Sequence, residues 1–207
     1  ILLIYTVITL SLLLAWRIPQ VHSRHIHAPP HTTLVSVSHI YPAAASTLAS
    51  KYAARVLSAG GALADPQVDV VLVATSTDTH AGFSLQAARA RKAIFCEKPI
   101  DLNIERVKSC VAEIKALGVP FMIGFNRRFD PNHAHLNRAL RGGEIGALEH
   151  LQICSRDPSQ QPDDYPLVSG GLFPDMPIPD VAIARFQLGD EPVSVSALPP
   201  ALVTPRA

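Results

Sequence analysis

The sequence has few of the residues that mark exported or nucleic-acid-binding proteins. Its three cysteines, Cys96, Cys110 and Cys154, are odd in number and far apart, so they form neither a disulfide framework nor the paired spacing of a zinc ribbon. The 18 Lys+Arg and 17 Asp+Glu give a net charge of +1 without a basic block, which leaves no surface for neutralising phosphates. These scarcities argue against a nucleic-acid partner and favour reducing, cytoplasmic surroundings.

Apolar residues are plentiful by contrast, and at 48% of 207 residues they suffice for a buried core. The first 16 residues, ILLIYTVITLSLLLAW, carry no charge. They are fewer than the roughly 20 residues that cross a bilayer as a helix, and they lack the basic start and small-residue cleavage site of a signal peptide. We therefore predict a buried first strand and no membrane partner, with a membrane or signal segment as the alternative.

Beyond this run, short apolar segments alternate with stretches of helical period. The predicted strands are 33–38, 68–74, 93–96 and 121–125, and the predicted helices are Pro42–Arg55, Thr79–Arg91 and Asn103–Leu117. In the last helix an apolar stripe is predicted, with Asn103 as its N-cap and Gly118 as its end; the stripe consists of Ile104, Val107, Val111, Ile114 and Leu117. With the first strand, this alternation predicts an α/β fold with a Rossmann-type doubly wound parallel sheet over residues 1–125.

The pattern changes after Phe125. A helix is predicted near Pro131–Arg141, a strand near Ala147–Ser155, a polar loop over 156–166 and a strand-like segment at 192–197. We interpret 126–207 as the incomplete start of an α/β second domain, and we expect that domain to be truncated.

Polar side chains follow two of the predicted strands. Thr75-Ser76-Thr77-Asp78-Thr79-His80 follows 68–74, and Glu97-Lys98-Pro99 follows 93–96. Doubly wound sheets bind ligands beyond the carboxyl ends of their strands, so these hydroxyls could cap the next helix and face a ligand. Pro99 favours an extended backbone at Lys98, which would project the ammonium into the crevice. A solvated loop lysine is the alternative.

Five segments in order resemble the Gfo/Idh/MocA oxidoreductases, and among them the inositol 2-dehydrogenases. They are ATSTDTH (74–80), FCEKPIDLNIERV (95–107), MIGFNRRFDP (122–131), GEIGALEHLQICSRDP (143–158) and SGGLFPDMPIPDVAIARFQLG (169–189). The resemblance implies NAD as cofactor, with NADP possible, and hydride transfer between nicotinamide and a secondary alcohol of a cyclitol or sugar. It also implies that the second domain covers this small-molecule partner and would form a homo-oligomer if it were complete.

The same resemblance implies the site residues. Lys98 in the E-K-P motif and Asp175 in the D-M-x-x-H-D motif are the expected catalytic groups, with a plain N-cap as the alternative for Asp175. Cofactor contacts are expected at Ala74, Thr75, Thr79, His80, Glu97, Lys98 and Arg127. For Arg127, which could also contact substrate, the alternative is an inter-domain salt bridge.

The motif's histidine, which would remove the hydroxyl proton, is replaced by Pro179. Losing a general base costs on the order of 10²–10⁴ in rate unless Lys98 or Asp175 takes over. Pro177 and Pro179 also remove two backbone donors, so we expect them to disturb the helix that aims Asp175.

The cofactor end departs further from the family. Residues 14–22, LAWRIPQVH, match G-x-G-R-I-G-x-V-H without any of its glycines. Trp16 puts an indole where backbone should approach pyrophosphate, and Pro19 cannot donate an N–H to phosphate. His39 occupies the position at which the family usually has an acid that holds the ribose. It could pair with a 2′-phosphate, and a surface-loop histidine is the alternative. We therefore predict an impaired enzyme, and the alternative is an inactive relative that serves as a binding or assembly module or is a degraded fragment.

Four histidines lie close together in the sequence at 22, 25, 27 and 31. Because no Cys or acidic ligand accompanies them, we predict no metal site.

Overall fold

The computed structural model describes residues 7–14, 19–156 and 177–198. The chain divides into two compact units, Ile1–Gly124 and Phe125–Ala207. The predicted assignment of 1–125 to dinucleotide binding and 126–207 to a partial substrate or oligomerisation domain stays a prediction.

The first unit contains a six-stranded sheet with the order β3-β2-β1-β4-β5-β6, and all neighbouring strands are parallel. The strands are β1 Ile8–Leu14, β2 Thr32–His39, β3 Arg55–Val56, β4 Val70–Ala74, β5 Ala93–Cys96 and β6 Phe121–Ile123. The connecting helices are α1 Pro19–His27, α2 Pro42–Tyr52, α3 Ala59–Ala64, α4 Thr77–Arg89 and α5 Ile104–Leu117. The predicted Rossmann-type doubly wound sheet is confirmed, and its strand order reverses between β1 and β4, where such folds bind ligands.

Two apolar clusters cover the two faces of this sheet. Along β1, Leu13 belongs to one cluster while Leu12 and Leu14 belong to the other, because successive side chains of a strand point to opposite faces. α4 and α5 contribute to the first cluster, and α1 and α2 contribute to the second. The predicted buried first strand is confirmed at Ile8–Leu14; residues 1–6 and 15–18 of that region lie outside the described residues.

In the described parts of the chain, no helix is long and apolar enough to cross a membrane.

Two predicted helices in the first unit are corrected, and two short elements were missed. The helix predicted to reach Arg55 ends at Tyr52, because Ala53 adopts a left-handed backbone and Arg55–Val56 pairs with β2. The helix predicted over Thr79–Arg91 is α4, which begins at Thr77 and ends at Arg89. The short elements β3 and α3 were not predicted, since two exposed strand residues and six helical residues are too few to show a period.

α5 confirms the predicted caps but not the whole predicted stripe. The Asn103 side chain accepts hydrogen bonds from the backbone N–H groups of Glu105 and Arg106, and Gly118 ends the helix with φ of 68°. Ile104 and Val111 are exposed, whereas Cys110 and Ile114 are buried. The helix therefore buries Cys110, whereas the predicted stripe contains the neighbouring Val111.

The described part of the second unit is helical and irregular. A 3₁₀ turn at Asn126–Phe129 leads into α6 Pro131–Arg141, which has the predicted bounds, and α7 spans Pro177–Leu188. The strands predicted at Ala147–Ser155 and 192–197 are wrong, because neither segment pairs with a neighbouring strand among the described residues. Most of the predicted polar loop, 157–166, lies outside the described residues.

Candidate functional site

The carboxyl ends of β4 and β5 bring the two predicted polar segments together. Val73 is in register with Cys96, so Thr75 and Glu97 leave the sheet at neighbouring points. The Thr75 and Thr79 hydroxyls lie 2.6 Å apart, and Thr79 Oγ1 also donates to the Ser76 carbonyl over 2.7 Å. Ser76 is the N-cap residue of α4, although its side chain makes no capping bond. The two hydroxyls thus stabilise the first turn of α4 at the carboxyl end of the sheet. We call this end the ligand edge, because such folds bind ligands there.

His80 lies beneath this edge and is 2% exposed. Its Nδ1 is 2.7 Å from the Pro99 carbonyl oxygen, and its Nε2 is 3.0 Å from the Thr75 carbonyl oxygen. Both ring nitrogens therefore face backbone of this chain, one on each of the two strand-end segments. A cofactor contact by His80 stays a prediction, and the geometry gives the ring a role in joining those segments.

Glu97 points toward α1. Its Oε1 lies 2.7 Å from His22 Nε2, and its Oε2 accepts a 3.3 Å hydrogen bond from the Lys98 backbone N–H. A Cβ at Gly124 would lie 3.1 Å from Oε2, so the carboxylate occupies the space that this glycine leaves. The predicted contact between Glu97 and a cofactor is untested, but both carboxylate oxygens already have partners within the first unit.

Lys98 lies in the sequence between Glu97 and the buried Pro99. Its side chain is partly buried, and the Lys98–Pro99 peptide bond is cis. The neighbouring Cys96 thiol is buried, and the loss of solvation raises the pKa of this thiol to about 12. Cys96 therefore stays a neutral core residue, and the ammonium of Lys98 is the candidate group for chemistry at this turn.

At the cofactor end the structure describes Leu14 and Pro19 but not the residues between them. Leu14, at the first glycine position, is 1% exposed and packs in the cluster that includes Val37 and Ala74. Ala74, a predicted cofactor contact, is itself buried at the end of β4, so only its backbone could meet a ligand. Pro19 is the first residue of α1, and Trp16 lies outside the described residues.

His39 ends β2 beside Leu14. Its Nδ1 accepts a 2.9 Å hydrogen bond from the Tyr41 backbone N–H, and its ring packs 5.5 Å from the Tyr41 ring. Partial burial lowers the pKa of His39 and so disfavours the charged form that would pair with a 2′-phosphate. His39 thus lies at the end of a strand and not in a loop, and a contact with a 2′-phosphate stays a prediction.

Arg127 belongs to a polar network within the second unit. It forms an ion pair with Asp180 and lies 3.3 Å from Ser155 Oγ, which donates to Asp180 over 2.7 Å. Asp180 lies in the same unit as Arg127, so this ion pair is not the inter-domain salt bridge of the predicted alternative, which stays untested. A cofactor or substrate contact by Arg127 stays a prediction.

The helix that contains Asp180 also contains the position of the missing histidine. Pro177 and Pro179 both lie in the first turn of α7, where backbone N–H groups have no acceptor within the helix. α7 therefore runs to Leu188, and the expected disturbance is absent from Pro177–Leu188. Asp175 lies outside the described residues.

Sequence reasoning missed the contact between His22 and Glu97, which are separated by 75 positions. No periodic pattern links them; only the placement of α1 over the end of β5 does. His27 packs against the Tyr52 ring, and across the described ranges no group of three His, Cys, Asp or Glu side chains could hold a metal ion.

Comparison with known proteins places the fold in a family. Residues 16–125 match the family described as "Oxidoreductase family, NAD-binding Rossmann fold". The inositol 2-dehydrogenase of Rhizobium meliloti (strain 1021) is 45% identical over 193 residues, which cover 93% of this chain and 58% of that protein. The chain thus spans somewhat more than half the length of this relative.

Solved structures of similar sequence have the same fold as this chain. A crystal structure from Sinorhizobium meliloti 1021 superposes with a TM-score of 0.87 at 44% identity and covers 89% of this chain and 56% of the other. A myo-inositol dehydrogenase from Corynebacterium glutamicum ATCC 13032 gives 0.82 at 38% identity, with 87% and 54% covered. The predicted cofactor is confirmed for the family, whose Rossmann fold binds NAD. With its match to that family across more than half of its length, the chain belongs to the Gfo/Idh/MocA oxidoreductases.

Proposed function

We propose that this chain is an inositol 2-dehydrogenase-type oxidoreductase whose hydride transfer is impaired. The observation that carries the proposal is the Glu97-Lys98-Pro99 turn, which is held at the carboxyl edge of the sheet beside Thr75. The substrate class is a cyclitol or sugar with a secondary alcohol, as the names of the similar dehydrogenases suggest. Cytoplasmic location and homo-oligomerisation stay predictions.

Lys98 has the central task in this proposal. Its ammonium donates hydrogen bonds to the substrate hydroxyl and orients the carbon that is to be oxidised. NAD, when bound, would accept the hydride from that carbon. Thr75 and Thr79 present hydroxyls at the same edge and can bind either ligand.

The residues fit the nicotinamide end of the cofactor better than the pyrophosphate end. The strand order of the sheet reverses between β1 and β4, which leaves a crevice for the cofactor. The Glu97-Lys98-Pro99 segment, called the lysine turn below, follows β5. At the pyrophosphate end, however, a buried Leu14 replaces a glycine, and α1 begins with a proline that lacks an N–H. Weak NAD binding follows, because helix N–H groups supply much of the phosphate affinity of this fold.

Pro179 accounts for the impaired chemistry. It lies in the first turn of α7, where a histidine would accept the hydroxyl proton, and its ring has no acceptor. The proton must then pass to Lys98, to Asp175 or to water. The second candidate function is a family relative without turnover that binds a polyol or another protein, and the prolines at 19 and 179 favour it.

Calorimetry of the purified chain with NAD and NADP, with thermal melting alongside, is the first test. We expect a folded chain with weak NAD binding and NAD-dependent myo-inositol oxidation far below that of an intact relative. Trp16→Gly with Pro19→Gly should tighten NAD binding about tenfold or more, which is roughly one charge-assisted hydrogen bond of about 1.5 kcal/mol. Leu14 should be kept in these variants, because replacing a buried leucine creates a cavity that costs about 2–5 kcal/mol.

Pro179→His, added to the glycine variant, should then raise turnover on the order of 10²-fold or more. Pro177→His is the matched control, because Pro177 lies in the same helical turn as Pro179 but not at the histidine position of the motif. Unchanged NAD affinity in the glycine variant would contradict the alignment of the first loop. NAD binding with no gain in turnover from Pro179→His would favour the inactive relative.

A further inference from the structure

The lysine turn is held from both faces of the sheet by histidines on two different helices. Glu97 precedes Lys98 and contacts His22 on α1, whereas Pro99 follows Lys98 and contacts His80 on α4. α1 packs in the apolar cluster on one face of the sheet, and α4 packs in the cluster on the other. Both residues that flank Lys98 are therefore anchored independently.

The first anchor is a side-chain contact. His22 Nε2 and Glu97 Oε1 lie 2.7 Å apart, and both side chains are largely shielded from solvent. The His22 ring also meets the Phe95 ring edge-on, at 5.8 Å between centroids. Phe95 lies on β5 and Glu97 directly follows that strand, so the His22 ring contacts both the strand and the turn after it. Since Gly124 leaves room for the carboxylate on its other side, Glu97 is confined between α1 and the end of β6.

The second anchor acts on backbone. The buried His80 ring faces the Pro99 carbonyl at 2.7 Å and the Thr75 carbonyl at 3.0 Å. A neutral imidazole has one N–H, and with that proton on Nδ1 the ring donates to the Pro99 carbonyl, while Nε2 lies close to the Thr75 carbonyl oxygen without a hydrogen bond. The ring thus holds the turn after β5 by one hydrogen bond and lies against the segment after β4.

We propose that His22 and His80 are positioning residues that together hold the Lys98 ammonium at the ligand edge of the sheet. The inference rests on the proposed function, in which Lys98 is the catalytic residue. Neither histidine need touch substrate or cofactor: His22 acts through Glu97, and His80 acts through the Pro99 carbonyl.

The test reads the environment of Lys98 directly. The chain has only five lysines, Lys51, Lys92, Lys98, Lys108 and Lys115, so reductive ¹³C-methylation of the full chain gives a small set of resonances. Lys98→Arg assigns the Lys98 signal by its disappearance. In His22→Ala we expect that signal to shift or broaden more than any other lysine signal. His22→Gln, which can keep a donor near the Nε2 position, should restore much of the parent position.

His25→Ala is the matched control, because His25 is an exposed residue of the same helix. It should leave the Lys98 signal unmoved. An unmoved Lys98 signal in folded His22→Ala, or equal effects of His22→Ala and His25→Ala, would overturn the role of His22.

Substitution of the buried His80 risks unfolding, so its part of the proposal is measured on the parent chain. With ¹⁵N-labelled histidine, we expect an imidazole N–H that is protected from exchange with water and has a nuclear Overhauser contact to Pro99. The absence of such a resonance from the folded chain would overturn the role of His80. Neither measurement needs NAD or turnover. If the chain does not bind NAD but the Lys98 signal responds to His22→Ala, the proposed function is contradicted and the positioning role stands. If the chain binds NAD but the Lys98 signal does not respond, the positioning role is contradicted and the proposed function stands.

Discussion

Ser11 and Ser36 bury two hydroxyl groups between β1 and β2. Ser36 Oγ donates to Ser11 Oγ over 2.8 Å, and both residues are fully buried. Removing either hydroxyl leaves its partner without this hydrogen bond, so Ser11→Ala or Ser36→Ala alone should lower the free energy of unfolding by about 1–2 kcal/mol. The double variant should lose less than the sum, because both polar groups are then absent. Urea unfolding of the four chains measures this coupling, and strictly additive losses would contradict it.

Single residues also show where prediction from sequence reaches its limit. Lys98, Glu97 and Thr75 were predicted at the ligand edge because parallel strands present their carboxyl ends together, and the fold follows from local patterns. Their partners were not predicted. His22 reaches Glu97 across 75 positions, and that contact depends on how α1 packs over β5. Likewise, Arg127 forms an ion pair with Asp180 across 53 positions, a contact that no local pattern encodes.

Among the elements, those with complete start and stop signals were predicted best. α5 and α6 each begin after a side chain that caps two backbone N–H groups, Asn103 and Asp130 respectively. β3 and α3 are too short to show a period, even though the Ser58 side chain caps α3 by accepting from the Gly61 N–H. The strands predicted in the second unit failed for a related reason: a β-branched run forms a strand only when a partner supplies hydrogen bonds.

The caps of α5 give a prediction at this scale. Asn103→Ala should cost about 1 kcal/mol of unfolding free energy, because two backbone N–H groups lose their acceptor. Gly118→Ala should cost about 1 kcal/mol through its left-handed backbone, with φ of 68°. Gly60→Ala is the control: a Cβ at Gly60, within α3, would have no neighbouring atom within 4 Å, and alanine there should stabilise by about 0.5–1 kcal/mol. Chemical denaturation compares the three, and equal effects at Gly118 and Gly60 would contradict the argument.

Across the whole molecule, the buried apolar residues are unevenly distributed. Both apolar clusters lie entirely within the first unit. In the described part of the second unit the buried apolar residues are Ala139, Ala182 and Ile183. Polar contacts connect its helices instead: Asn137 Nδ2 donates to the Phe186 carbonyl over 2.7 Å, and Gln187 Nε2 donates to the His133 carbonyl over 2.9 Å. Among the residues that the structure describes, hydrophobic burial, the main favourable contribution to folding, is therefore concentrated before Gly124.

This distribution predicts that the two units unfold separately. Amide hydrogen exchange of the full chain should show strong protection in β1, β4 and β5 and much weaker protection in α6 and α7, because local opening needs less free energy where fewer apolar contacts are broken. A chain of residues 1–124 should then unfold cooperatively, at nearly the same denaturant midpoint as the first unit in the full chain. Equal protection of α7 and β4, together with one transition shared by both units, would mean that the second unit draws its stability from contacts other than its own apolar burial.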